Sequence, residues 1–400
     1  MTNFSVRVGD LAEQVRGVSY GKGDATDTQK DGFLPILRAG NITDNGLVFN
    51  DLVYIPEGKI SVKQKIRKGD VVIAASSGSL DIVGKAAPAY TDFDGGFGAF
   101  CKVLRPNEKV DSRYFAHFFK TPEYRKKISS LAAGANINNL RNEHLDEMKI
   151  PLPPLPEQIR IGTILDQADA LRVKRREALA YLENLTQSIF IEMFGDPHAN
   201  PKGWSIQPLR DLVLGKPNNG IFKKNNEYGE GLPVIWVGEL FRGDSINCNN
   251  SQKLLPSKRE IEQYGLHHGD ILFCRSSLKL AGIGYNNVYM GEDNKALFEC
   301  HVIRIKPDKN KVDPEFLNFA LRMPSQRLNL FKHVKTVTMT TIDQDGLLRV
   351  EVPVPPLDLQ KLFTEKLKAI WQIKAMYAKA QLELDALFTS LQHRAFHGEI

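Results

Sequence analysis

Three groups of residues in this 400-residue chain have types and spacings that could do chemistry. His267–His268, Cys274 and Cys300–His301 offer imidazole and thiol ligands to a metal, but their spacing matches no familiar zinc pattern, and ordinary strand and loop positions are the other reading. Asp94–Gly95–Gly96–Phe97–Gly98 is glycine-rich, yet it lacks the strand–turn–helix setting and the spacing of a dinucleotide loop, so it reads as a turn. Arg172, Lys174, Arg175 and Arg176 form a basic run in a helical stretch, suited either to a solvated face or to a polyanion or acidic partner. A GxxxxGK[ST] phosphate loop, an HExxH pair and a GxSxG elbow are all absent from the sequence. So is the Asn-Pro-Pro-aromatic or Asp-Pro-Pro-Tyr loop of an adenine methyltransferase. The sequence thus assigns the chain no chemical step: no catalytic residue, no cofactor site and no metal site.

The elements that position these residues occur twice. Ile150–Pro151–Leu152–Pro153–Pro154–Leu155 opens a long helical pattern, and Val352–Pro353–Val354–Pro355–Pro356–Leu357 opens another. The prolines set a shift of 202 positions, which also pairs Leu182 with Leu384, Leu185 with Leu387, Ser188 with Ser390 and Phe194 with Phe396. Repetition at a constant shift is the first thing to settle in any chain, because it determines the architecture. Read as heptads, one set of positions holds Ile161, Ala168, Arg175, Leu182 and Ile189, and a second holds Ile164, Leu171, Ala178, Leu185 and Glu192. The second copy holds Phe363, Ile370, Tyr377, Leu384 and Leu391, with Ile373, Ala380 and Leu387. A helix of this length is a rod of roughly 50 Å.

The segment before each helix is a mixed domain. Leu34–Ala39, Val71–Ala75 and Cys101–Leu104 are short apolar or β-branched runs bounded by turn residues, hence strands. Asp111 caps a helix carrying Tyr114, Phe115, Phe118 and Phe119, and Thr121–Pro122–Glu123 starts another. Gly134–Asn139 reads as a polar loop. After the linker Gly195–Gly203 the same features return: Asp211–Leu212 answers Asp10–Leu11, Leu232–Pro233–Val234 answers Leu34–Pro35–Ile36, and Gly269–Asp270, Ser276–Ser277 and Gly284 answer Gly69–Asp70, Ser76–Ser77 and Gly84. The expected fold class is α+β: two similar mixed domains, 1–154 and 197–355, separated by two long helices, 155–196 and 356–400, packed as an antiparallel coiled coil with a pseudo-two-fold internal repeat.

Composition bounds the rest. A hydrophobic share of 42% with 25% charged residues is ordinary for a soluble globular protein, and no apolar run approaches the ~20 residues of a bilayer span. Met1–Asp10 has no signal-peptide layout, and Cys101, Cys248, Cys274 and Cys300 form no CxxC pair, so a reducing cytoplasm is the expected setting. The net charge of +6 permits polyanion binding without demanding it, so a partner is expected to share that electrostatic work.

With these features the chain resembles the specificity subunit of type I restriction–modification systems. The resemblance covers essentially the whole chain. It rests on Pro151–Leu152–Pro153–Pro154–Leu155–Pro156–Glu157–Gln158, on Leu182–Glu183–Asn184–Leu185 and Phe194–Gly195–Asp196, and on their second copy at Pro353–Leu357 and Leu384–Leu387. It implies two target-recognition domains, each followed by a spacer helix, in a subunit that reads double-stranded DNA and has no catalytic residues. It also implies two modification subunits and, through them, restriction subunits as partners. S-adenosylmethionine, ATP and Mg would then belong to those partners. Two recognition domains of different sequence predict a bipartite, asymmetric target. Two other readings stay open: a coiled-coil scaffold with two protein-binding domains, and an enzyme whose site follows no linear motif.

Base edges are read by Arg, Lys, Asn, Gln, Ser and Thr, and phosphates by Lys, Arg and hydroxyls. Loops at corresponding points of the two domains supply Arg38, Asn41, Ser76, Ser77 and Ser79 with Lys85 in the first, and Arg275, Ser276, Ser277 and Lys279 with Lys223 and Lys224 in the second. The alternative role of each serine is a turn or cap, and of each lysine a solvated surface. Arg275 stands out because its counterpart is Ala75. Phe190, Phe194 and Phe396, near the helix ends, are expected as exposed docking points for modification subunits.

Overall fold

The computed structural model describes residues 5–132, 139–249, 251–336 and 340–400. Of the expected polar loop Gly134–Asn139, residues 134–138 lie outside that set. The chain divides into two compact units, Met1–Ala178 with Tyr377–Ile400, and Leu179–Met376. Each therefore holds one recognition fold and a portion of both long helices.

In the first unit a four-stranded antiparallel sheet runs in the order Ala12–Arg16, Cys101–Pro106, Val71–Ala74, Ala86–Pro88. A three-stranded sheet sets Phe33–Leu37 between Val53–Pro56 and Gly96–Phe97, the last pairing parallel. Ser5–Arg7 pairs with Lys149–Pro151, closing the fold at the proline hinge. The second unit repeats this plan. Asn218–Asn219, Val302–Ile305, Ile271–Cys274 and Asn286–Val288 form the four-stranded sheet, Tyr228–Ile235 lies between Lys253–Leu254 and Leu297–Phe298, and Ser205–Pro208 pairs with Glu351–Val354. Close approaches repeat as well. A side chain at Gly17 would stand 2.0 Å from the Gly98 carbonyl oxygen, and one at Gly220 would stand 2.0 Å from that of Phe298. Gly84 and Gly284 share a positive φ of 79° and 60°, a conformation costly to any residue bearing a Cβ.

The expected helix caps form. Asp111 accepts from the backbone N–H groups of Arg113 and Tyr114, and Asp313 from that of Phe316. The same joint ties each recognition fold to its spacer helix. Gln158 Oε1 accepts from Asp111 N at 2.9 Å while its Nε2 donates to the Pro153 carbonyl at 2.8 Å. Gln360 does the same for Asp313 N at 2.8 Å and the Pro355 carbonyl at 2.7 Å. Both glutamines are buried, at 1% and 0% exposure, so these bonds satisfy groups that water cannot reach.

The spacer helices run over Leu155–Phe194 and Leu357–His397. Within each unit they pair antiparallel: Arg172 meets Asp385 and Arg175 meets Tyr377 in the first, and Glu183 meets Lys374 and Phe190 meets Phe363 in the second. The heptad set beginning at Ile161 faces inward or partly so. The set beginning at Ile164 is off by one residue. Leu171, Leu185, Ile373 and Leu387 are exposed, and the inner positions are instead Leu165, Arg172, Leu179, Thr186 and Met193, matched at the same shift by Leu367, Lys374, Gln381, Phe388 and Ala395. Four of these ten are polar, which hides the seam from a purely apolar pattern. Arg172 is typical: it bonds Asp385 at 2.6 Å and Asp169 at 2.9 Å, and lies over the Phe388 ring. Burial alone would raise the Asp385 carboxyl, but hydrogen bonds from Gln381 and Arg172 bring it below its usual range. Two arginines of the basic run thus serve the helix pair itself. No helix among the described residues is long and apolar enough to cross a membrane.

Candidate nucleic-acid interface

The first unit opens a cleft of about 1130 Å³ lined by Tyr20, Arg38, Asn50, Ser76, Ser77 and Phe100, among others. Four expected residues, Arg38, Asn41, Ser76 and Ser77, line it from the segments that follow two strands. Arg38 follows the strand Phe33–Leu37, is exposed, and donates from Nη2 to the Asp51 carbonyl at 2.7 Å. Ser76 and Ser77 follow the strand Val71–Ala74 and are half-buried. Ser77 Oγ accepts from Ser79 N at 3.2 Å, a local turn that leaves the hydroxyl hydrogen available. Ser79 itself is exposed.

Two residues of this group are corrected. Asn41 lines the cleft but is 4% exposed. It accepts from Arg38 N and donates to the carbonyls of Val48 and Asn50, so its amide pins the loop and has no hydrogen left for a base. Lys85 does not line the cleft; its ammonium is 2.7 Å from Asp44, which neutralises it as a phosphate contact.

The second unit presents the same turn with different chemistry. Ser277 Oγ accepts from Lys279 N at 3.1 Å, so exposed Lys279 stands where the first unit has Ser79. Ser276 and Ser277 also pair with Thr341 and Thr340 as an added strand. Arg275 is half-buried, with its guanidinium donating to the Cys300 carbonyl at 3.4 Å. Lys224 is exposed without an ion pair among the described residues. Lys223 is corrected: it lies between Glu260 at 3.0 Å and Glu227 at 3.3 Å, already neutralised. Backbone and side-chain bonds from Ser257, together with Lys223, hold the Glu260 carboxyl down to about 2.

The metal reading resolves into separate parts. Cys274 is buried, donates to the Ser276 carbonyl, and has its thiol pushed up to about 11 by burial. Among the described residues one group, Glu299, Cys300 and His301, brings three ligand-type atoms within 4.8 Å of one another. His301 already bonds Glu299 through its backbone N–H and Nδ1, each at 2.8 Å, and burial raises the Cys300 thiol, which disfavours a thiolate ligand.

The phenylalanines expected at the surface are core. Phe190 and Phe194, at 1% and 4% exposure, pack with Phe316 and Phe363; Phe396, at 8%, packs with Tyr114 and Phe118. Their helical spacing aimed them at the recognition folds, where burying such a ring stabilises by roughly 1.5–3 kcal/mol. The exposed apolar residues are others, among them Phe100 in the cleft, Phe222 next to Lys223, and Leu171, Tyr181, Met376, Leu382 and Leu387 on the helices, of which Leu171 and Leu387 are expected in the seam by the heptad reading.

A family model described as the type I restriction modification DNA specificity domain matches residues 3–181 and again 201–384. The type I restriction enzyme EcoKI specificity subunit of Escherichia coli (strain K12) is 31% identical over 411 residues, covering 98% of this chain and 88% of that protein. The StySPI specificity subunit of Salmonella potsdam gives the same identity and coverage. Among solved structures, a type I restriction–modification S subunit from M. genitalium aligns at a TM-score of 0.57 and 16% identity, covering 98% of this chain and 96% of that one. A chain from a structure on assembly and conformational transition of the type I R-M system aligns at 0.52 and 19%, covering 99% and 98%. With a twice-repeated fold, a duplicated joint to two long helices and a doubled family match, this chain belongs to the specificity subunits of type I restriction–modification systems.

Proposed function

We propose that this chain reads a bipartite, asymmetric DNA sequence, one half-site per recognition unit, and scaffolds the subunits that act on it. One observation carries the reading: the joints repeat bond for bond at a shift of 202, while matching solvent-facing loops carry different side chains, Ser79 against Lys279 and Ala75 against Arg275. Shared joints serve a common assembly geometry, and divergent loops serve two different half-sites. Arg38, Ser76, Ser77 and Ser79 read or hold one half-site, and Arg275, Ser276, Ser277, Lys224 and Lys279 the other. The exposed apolar side chains of the spacer helices, Leu171, Tyr181, Met376, Leu382 and Leu387, take the docking role for two modification subunits. Restriction subunits join through those. Methyl transfer from S-adenosylmethionine and ATP- and Mg-dependent cleavage belong to the partners, and the chain carries no chemical step.

The test is single-molecule methylation mapping of DNA from cells that express the chain with its modification subunit. The expected result is a gapped motif with two unlike halves. Absence of any motif would leave a scaffold without DNA specificity. Inserting one helical turn after Ala178 sharpens the test. One turn adds about 5.4 Å of helix against about 3.4 Å per base pair, so the unread gap should lengthen by roughly one or two base pairs with both half-sites intact. Changed half-site bases would rule out the spacer as a ruler.

A further inference from the structure

The two recognition units differ in chemistry at one corner of the four-stranded sheet. In the first unit, Ala75 N donates to the Phe100 carbonyl at 2.8 Å; in the second, Arg275 N donates to the His301 carbonyl at 2.9 Å. One backbone bond therefore places Ala75 beside Phe100 in one unit and Arg275 beside His301 in the other. Phe100 is 68% exposed and offers only an apolar ring. The His301 side chain is 59% exposed and stands on Glu299, which is 2% exposed. That carboxylate accepts from both the backbone N–H and Nδ1 of His301. A carboxylate bonded in this way fixes the imidazole tautomer with hydrogen on Nδ1 and leaves Nε2 as an acceptor. Nε2 has no hydrogen-bond partner among the described residues. Arg275 is joined to the same corner through the Cys300 carbonyl and forms no ion pair among the described residues.

We propose that His301, aimed by Glu299, reads a base edge in the second half-site and works as a pair with Arg275. This inference rests on the reading above, in which each unit reads one half-site. The chemistry names what each takes. A guanidinium donates to the O6 and N7 acceptors of guanine, and an imidazole nitrogen that only accepts takes the exocyclic amino hydrogen of adenine or cytosine. The second half-site thus holds a guanine next to, or one step from, an amino-bearing base. Glu299 is a positioning residue, with no contact to DNA of its own.

The experiment uses the full chain expressed with its own modification subunit, in a host without other adenine methylation, and reads methylated sites by single-molecule mapping. If wild type yields no gapped motif, the specificity reading itself fails. With the motif in hand, His301→Ala should relax one position of one half-site about tenfold or more, the scale of one lost base contact, while the other half-site stays strict. Strictness at that other half-site reports, in the same molecules, that the complex is folded and assembled. Glu299→Gln should relax the same position, and His301→Gln, which keeps an acceptor, should relax it less than His301→Ala. The proposal is overturned if His301→Ala leaves every position as strict as wild type. It is overturned equally if methylation falls evenly over all sites.

Discussion

The two recognition units agree at the buried joint to their helices and part company at an exposed corner of the four-stranded sheet. Gln158 and Gln360 make the same two bonds within 0.1 Å of each other, whereas the corner that holds Ala75 and Phe100 in one unit holds Arg275 and His301 in the other. The difference follows from what each place must satisfy. A buried N–H or carbonyl without a partner costs about 1–3 kcal/mol, so the residue that satisfies it has few substitutes. An exposed loop side chain owes nothing to the fold and is free to diverge. An intermediate case marks the boundary. Asp70 is buried against Arg105 in a two-pronged pair at 2.8 and 2.9 Å, and Asp270 faces Arg304 at 3.5 Å from a different position on the neighbouring strand. There the charge is kept and its source has moved. The looser pairing leaves burial to raise the Asp270 carboxyl.

If this division is right, matched substitutions in the shared regions should cost the two units alike. The largest effects belong to the aromatic cores where helix meets recognition fold. Phe194→Ala and Phe396→Ala should each destabilise its own unit by about 3–5 kcal/mol, read by chemical denaturation. If either residue were instead a free docking point, stability would stay put and only partner binding would fall. The glutamine joint comes next. Gln158→Ala and Gln360→Ala each strip a partner from a buried backbone N–H and a carbonyl, and each should cost about 2–3 kcal/mol. Unequal costs would break the comparison, because they would make one joint ornamental.

Much of the fold is legible in the sequence. The proline hinges, the cap at Asp111, the strand runs and the repeat shift follow from local rules that no tertiary contact overrides. The inner face of the helices was half legible. Ile161 and most of its heptad mates are apolar and inward, but the other inner set includes four polar residues: Arg172 and Lys374 bond Asp385 and Glu183 across the helix pair, while Thr186 and Gln381 bond the Leu182 carbonyl and Asp385 within their own helices. The same limit affected the candidate site. Asn41 and Lys223 have the right chemistry for DNA, yet their hydrogen bonds and charges are spent inside the fold: Asn41 on carbonyls seven and nine residues along its own loop, and Lys223 on Glu227 and the remote Glu260, choices that a loop's composition does not reveal. In the sequence His301 reads as a possible metal ligand of unfamiliar spacing or an ordinary strand residue, since nothing in a linear pattern shows that Glu299 holds its ring.

The smallest effect on stability, and the sharpest test of divergence, is expected at Arg275. Its side chain makes one long hydrogen bond to the fold, so Arg275→Ala should leave the denaturation curve nearly unchanged. Its effect should appear in specificity. Loss of a guanidinium that grips a guanine relaxes discrimination at one base position by about 1–3 kcal/mol, and the half-site read by the first unit should not move. A competition assay with duplexes altered at single positions measures this directly on the complex with its modification subunit. An equal loss of affinity for every duplex, scrambled ones included, would make Arg275 a phosphate contact. The two units would then differ in how they hold DNA as well as in what they read.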